Sequence, residues 1–187
     1  MENAQALRRE PLKTEDETPG ERVGELDLLR EAERKIEALD VGFQRTDDGG
    51  YATTHHGHNL SFPLRLDHFG GTVDCYAYLP THVPERLRDE VMRALTFINY
   101  GLKDGNFEMD RADGEVRFKT YYCFKNGPPT LEALEHLVTG CIARMDTYAK
   151  VFMLILFADE DAEEALGSVA HYACDLDPSV ARLFRPE

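Results

Sequence analysis

The stretch FEMDRADGEVRFK, residues 107–119, carries acids spaced like those at the start of a calcium loop. A helix-loop-helix calcium site of about twelve residues needs oxygen ligands at its first, third and fifth positions and a bidentate Glu at its last. If Asp110 takes the first position, Ala112 is third and Tyr121 is last, and neither can serve. The flanks alternate as in strands, and Gly114 tolerates positive φ, so the stretch predicts a hairpin turn.

Three histidines lie close together in the segment TTHHGH: His55, His56 and His58. On a strand, His56 and His58 would share one face and could bind zinc or nickel together. Such a site needs a further ligand, for which His68 or an Asp on a neighbouring strand could serve. The alternative is the polar outer face of a hairpin. It is favoured because the sequence names only two ligands on one face, so no metal is predicted.

Motifs that would indicate an enzyme are missing from the sequence. There is no GxGxxG, no GxxxxGK[ST] and no GxSxG, and no serine is placed near a histidine in a pattern that indicates a catalytic pair. The four cysteines lie far apart without a CxxC pair, which favours buried reduced thiols over a zinc site. We therefore predict no catalytic residue and no cofactor.

The elements that must position these residues follow from hydrophobic periodicity. Helices are predicted over 21–39, 84–102, from the N-cap Thr130 to about 158, and 161–173. Strands are predicted over 51–58, 60–68, 72–79, 106–110 and 115–124. The apolar segment VFMLILFA (151–158) extends the third helix, with a strand over 151–157 as the alternative. Pro63 places the second strand at a sheet edge or at a bulge.

The element order α-βββ-α-ββ-α-α predicts an α+β fold. Hairpin connections make its sheet antiparallel and five-stranded, with the helices on one face. We expect one domain over residues 21–175, between a disordered acidic extension (1–20) and a C-terminal tail (176–187).

The formal net charge of −14 disfavours direct binding to nucleic acid or to an anionic membrane. A basic protein partner is electrostatically easier. No apolar run approaches the roughly 20 residues that span a bilayer, and the N-terminus carries no signal-peptide pattern. We therefore expect a cytoplasmic protein.

Aromatic residues occur where a one-sided sheet and an amphipathic helix should be polar. Tyr76 and Tyr78 alternate with the apolar positions of their strand, and Phe97 and Tyr100 lie off the apolar stripe of their helix. Tyrosine is favoured at interfaces because it buries area and keeps a wet hydroxyl. The alternative is that the last helix covers the sheet face. The predicted partner or dimer surface comprises Phe97, Tyr100, Tyr76, Tyr78, Tyr121 and Phe152.

The stretch FINYGLKDGNFEMDRADGEVRFKTYYCF (97–124) resembles the YbjN-like family of bacterial proteins, which are labelled sensory transduction regulators. Asp146-Thr147-Tyr148 matches the family's D-x-Y segment, and the similarity would cover about residues 24–158. The resemblance implies a fold like class I type III secretion chaperones, usually a homodimer, and its pattern contains no catalytic residue. The matching positions are Asn99, Gly105, Phe107, Asp110, Gly114, Val116 and Phe118.

Together these observations favour a non-catalytic, chaperone-like adaptor or regulator. It would act as a homodimer on a partner protein, such as a DNA-repair or other basic, nucleic-acid-binding protein, without touching nucleic acid or membrane itself. The alternative is a sensor that binds a metal or a small ligand, the ligand in a pocket between sheet and helices. An enzyme using His56 and His58 is less favoured.

Overall fold

The fold comes from a computed structural model that describes residues 28, 30–69, 71–124 and 127–173. The acidic extension (1–20), the start of the first predicted helix (21–27) and the C-terminal tail (176–187) lie outside the described residues. Cys174 lies outside them as well. Within the described part, the chain folds as α+β, with one antiparallel sheet and flanking helices.

The sheet has six strands in the order β1-β2-β3-β4-β6-β5, and every pairing is antiparallel. Alternation of apolar and polar residues fixes which face of each strand is buried. The six strands are β1 Gln44–Arg45, β2 Tyr51–His56, β3 Ser61–Phe69, β4 Thr72–Tyr78, β5 Asn106–Met109 and β6 Val116–Cys123.

The predicted count of five strands is wrong, because β1 adds a sixth. This strand has only two residues, whose partners are Ala52 and Tyr51 of β2. Two residues are too few to show a period, so sequence pattern could not reveal it. Pro63 is predicted to place its strand at an edge or a bulge, and the edge position is wrong for β3 as a whole, because β3 pairs with both β2 and β4. The pairing with β4 begins at Leu64, however, so Pro63 itself has a neighbouring strand only on the β2 side. Pro63 lies just beyond that pairing, where its missing N–H costs no ladder bond.

Within the described residues, four helices complete the fold. The first, α1, covers residues 30–37, and a 3-10 turn at Glu85–Leu87 precedes α2 at Arg88–Gly101. The third, α3, runs from Leu131 to Phe157, and its N-cap Thr130 accepts a hydrogen bond from Ala133 N. The predicted continuation through 151–157 is therefore confirmed over the alternative strand. The fourth, α4, covers Ala162–Ala173.

The helices lie on one face of the sheet, as predicted. Helix α3 contacts β4 and β6, α2 contacts β5, and α4 stacks on α2 and α3. Helix α1 lies over β1–β3, where Glu33 pairs with Arg45 and approaches His68. The core between these layers includes Phe62, Leu64, Leu66, Val73, Cys75, Phe118, Cys141 and Phe152, all 1% exposed or less. Of the helices that the structure describes, none combines the length and hydrophobicity of a bilayer crossing.

Candidate functional site

The acidic bend between β5 and β6 is a hairpin turn built from backbone contacts. Asp110 N donates to Glu115 O at 2.9 Å, and the Asp110 carboxylate accepts from Ala112 N at 2.7 Å. Gly114 has φ of 84°, and its carbonyl accepts from Val83 N at 2.8 Å. A Cβ on Gly114 would lie 3.0 Å or less from N, C and O of Val83. The turn thus requires glycine both for its φ and for the close approach.

Asn99 fixes the end of α2 to β5. Its side-chain oxygen accepts from Phe107 N at 2.8 Å, and its amide nitrogen donates to Phe107 O at 3.0 Å. Gly105, at φ of 74°, lets the chain pass close to Lys119 and Thr120. The Asn99 side-chain amide thus holds the edge strand β5 through the two backbone groups of Phe107, as a neighbouring strand would.

Asp146 of α3 caps the turn between β2 and β3. Its carboxylate accepts from the backbone N–H groups of His58, Asn59 and Leu60 at 3.0, 2.8 and 3.2 Å. Tyr148 is buried, with its ring edge-on to Phe107. Every residue singled out by the family-like pattern therefore positions a turn or the core.

His56 and His58 do not share one strand face, as they would if the predicted strand 51–58 extended to His58. Strand β2 ends at His56, and Gly57 N then donates to Leu60 O, so His58 lies in the turn. His56 Nδ1 is 2.9 Å from Ser61 Oγ, and the His55 ring lies tilted beside the Phe62 ring, with centroids 5.5 Å apart. Across the described ranges, no group of three or more His, Cys, Asp or Glu residues could hold a metal ion.

The outer sheet face is the face turned away from the helices, centred on Tyr76 and Tyr78 of β4. The two rings are half-buried and tilted, with centroids 6.1 Å apart. Arg117 Cζ lies 4.7 Å and Lys119 Nζ 5.5 Å from the Tyr76 centroid. None of the helices within the described ranges packs on this face, so the last helix does not cover it.

Ion pairs surround these tyrosines. Arg65 pairs with Asp67 and Asp48, each at 2.7 Å. Arg117 pairs with Glu108 at 2.8 Å. Lys119 Nζ lies 3.4 Å from Asp74. A network of this kind orients long side chains, so the outer sheet face is a structured surface rather than a set of loose charges.

The electrostatic effects on this face have identifiable causes. Burial raises the pKa of the Tyr78 hydroxyl, and the nearby Glu115 adds to the shift while Arg117 opposes it. Burial would raise the pKa of Glu108, but hydrogen bonds from Arg117 and Asn106 outweigh it and hold that pKa below its usual value. Both groups are therefore in their usual ionisation states at neutral pH.

The predicted surface residues fall in different places. Tyr121 lies on the outer sheet face diagonal to Tyr76 and is 64% exposed. Tyr100 near the end of α2 is 80% exposed, whereas Phe97 is half-buried against the core. Phe152 is fully buried beside Phe107, at 5.3 Å between centroids, so a partner cannot reach it and it leaves the predicted surface.

A second feature is a cleft of about 640 Å³ between β6 and α3, whose lining residues the sequence analysis did not name when it considered a pocket between sheet and helices. His136, Gly140 and Arg144 are four residues apart along α3, so they share one face of the helix. We call the space between this helix face and β6 the β6–α3 cleft. A glycine between two basic residues inside a helix was the one sequence signal. Its other lining residues include Lys103, Asp104, Gly105, Thr120, Tyr122 and Leu137.

A family model named YbjN, described as "Putative bacterial sensory transduction regulator", matches residues 32–153, more than half of the chain. The chain belongs to the YbjN family. The match covers the sheet, α2 and most of α3, and it includes the hairpin, Asn99 and Asp146 described above. No curated protein and no solved structure matches the chain significantly.

Membership in the YbjN family makes the protein one of a group described as regulators, and that description names no reaction. It agrees with the geometry, because the residues of the YbjN-like pattern hold turns and core together. The likeness to type III secretion chaperones stays a prediction, since no solved structure supplies a comparison.

Proposed function

We propose that this YbjN protein is a non-catalytic adaptor or regulator that binds a partner protein through its outer sheet face. The observation that carries the proposal is Tyr76 and Tyr78, half-buried among structured ion pairs on a face that no described helix covers. Such a face offers aromatic area at low entropic cost, because its side chains are already ordered.

The charge of the face favours a basic partner. Arg65, Arg117 and Lys119 are each paired, and five carboxylates surround these three cations. Because its net charge is −14, the chain attracts cationic proteins at long range and repels phosphate backbones. The proposed partner is therefore a basic protein, such as a DNA-repair or other nucleic-acid-binding protein, with no direct contact to nucleic acid or membrane.

The proposal includes a homodimer in the cytoplasm with a chaperone-like mode of holding its client. Tyr100, at 80% exposure, is the most exposed large apolar side chain among the described residues and supports a contact between copies at the end of α2. Phe157 is also exposed, at 73%. It is the last residue of α3.

The decisive experiment is a quantitative pull-down read by mass spectrometry. Wild-type bait is compared with a Tyr76→Ser/Tyr78→Ser double variant and with Phe157→Ser, which removes an exposed aromatic side chain at the end of α3. Partners lost only with the double variant would support the outer sheet face. Equal recovery with all three baits would sink this assignment.

Light scattering tests the homodimer separately. The wild type should run as a dimer at micromolar concentration, and Tyr100→Glu should shift it towards monomer because a charge would be buried at the contact. Tyr76→Ser is the matched control and should stay dimeric. A monomeric wild type would overturn the homodimer while leaving partner binding to be judged by the pull-down.

A further inference from the structure

The β6–α3 cleft has an unusual wall, because one side is a strand edge. Strand β5 pairs with β6 only as far as Lys119, so Thr120–Cys123 has no strand beside it there among the described residues. A strand with a neighbour on one side only leaves half of its backbone N–H and C=O groups available on the other. The edge therefore offers donors to a ligand in the cleft.

Gly140 forms the opposite wall in the interior of α3. Glycine destabilises a helix interior relative to alanine, so a glycine at this position is expected to serve packing or function. Packing does not require it, because a Cβ built at Gly140 would meet no heavy atom within 4 Å. The residue lies one turn from His136 and one turn from Arg144. Its effect is to leave open the space between two basic side chains.

The charge of the cleft is opposite to that of the chain. Lys103, His136 and Arg144 line it together with one carboxylate, that of Asp104, in a protein whose net charge is −14. Arg144 is half-buried and has no hydrogen bond or ion pair with any described residue. A guanidinium placed this way can receive a carboxylate or phosphate through two parallel hydrogen bonds.

We propose that the β6–α3 cleft binds a small organic anion, a carboxylate or a phosphate ester with a flat apolar body. Arg144 binds the anionic group, aided by Lys103 and the β6 edge, and Tyr122 and Leu137 contact the apolar part. A volume of about 640 Å³ is in the range of small-molecule sites. This site does not depend on partner binding by the outer sheet face, so either proposal can fail alone.

The test is an NMR titration of the ¹⁵N-labelled full chain with benzoate, phenyl phosphate and the neutral benzyl alcohol. We expect saturable shifts of the Gly140 and Tyr122 amides with at least one anion, and binding of benzyl alcohol at least tenfold weaker. Comparing the two anions tells a carboxylate site from a phosphate site. Equal binding of the neutral compound, or no saturable shift with either anion, would overturn the proposal.

Variants locate the site and guard against misfolding. Arg144→Gln should weaken anion binding about ten- to hundredfold, the range of a lost charge-assisted hydrogen bond. Arg144→Lys should fall between, because it keeps the charge without the fork. Gly140→Leu should abolish binding by filling the cleft, whereas Gly167→Leu, at a helix glycine in equally open space, should change nothing. Wild-type affinity in folded Arg144→Gln and Gly140→Leu would refute the site.

Discussion

Replacing Gly114 by alanine should destabilise the fold far more than the same change elsewhere. Gly114 combines φ of 84° with a close approach to the Val83 backbone. Gly42 has a similar φ of 74°, but a Cβ there would meet nothing within 4 Å. Gly167 lies inside α4, also with nothing within 4 Å of a Cβ. The same Gly→Ala change therefore reports backbone strain alone at Gly42, backbone strain plus a steric clash at Gly114, and helix propensity at Gly167.

The structure gives the size and sign of each effect. At Gly42 the left-handed φ alone should cost an alanine about 1–2 kcal/mol. At Gly114 the same strain applies, and the added methyl must push the Val83 backbone away. That movement breaks the 2.8 Å bond from Val83 N to Gly114 O. The lost bond adds about 1 kcal/mol, so the total is roughly 3 kcal/mol or more. Gly167→Ala should stabilise by about 0.5–1 kcal/mol.

Urea denaturation followed by circular dichroism at neutral pH measures these differences. The midpoints should rise in the order Gly114→Ala, Gly42→Ala, wild type, Gly167→Ala, with unchanged slopes if only stability is affected. Equal losses for Gly114→Ala and Gly42→Ala would refute the reasoning, because the approach to Val83 would then cost nothing.

Three further predictions concern other contacts. Asp146→Ala should cost about 2 kcal/mol, because three backbone N–H groups lose their acceptor, and an unchanged urea midpoint would contradict the capping role. Glu108→Gln should cost about 0.5 kcal/mol at neutral pH. The pKa of Glu108 is lower in the folded state than its unperturbed value of 4.5, so the ion pair stabilises the fold above pH 4.5 and this stabilisation is lost as the pH falls through the folded pKa. Urea titrations should therefore show the difference between wild type and Glu108→Gln disappearing in acid. A difference that persists in acid would argue against the ion pair. Cys75 and Cys141 are buried, and the pKa of Cys75 is raised mainly by its hydrogen bond with Cys141 and secondarily by burial. Iodoacetamide should therefore label both residues later than the half-buried Cys123. Early labelling of Cys75 or Cys141 in peptide mass spectrometry would contradict this prediction.

Hydrophobic period gave correct elements wherever a segment was long enough to show one. The continuous helix Leu131–Phe157 was predictable because no proline or glycine pair interrupts its apolar pattern, and Thr130 marks its start. The two-residue β1 was not, because its pairing with β2 is a tertiary contact. His58 was misplaced for a related reason: Asp146, 88 residues away in the chain, holds its N–H in a turn.

The sequence by itself determined the α+β class, the turn at Gly114 and the alternation that puts Tyr76 and Tyr78 opposite the core. These depend on neighbours in the chain, and local sterics and periodicity carry them. Only the tertiary structure decided that Phe152 is core and that no described helix covers the outer sheet face. It alone brought Arg144 and Gly140 of α3 against the open edge of β6. Burial and clefts arise from how layers pack, and distant segments of the chain meet only after folding.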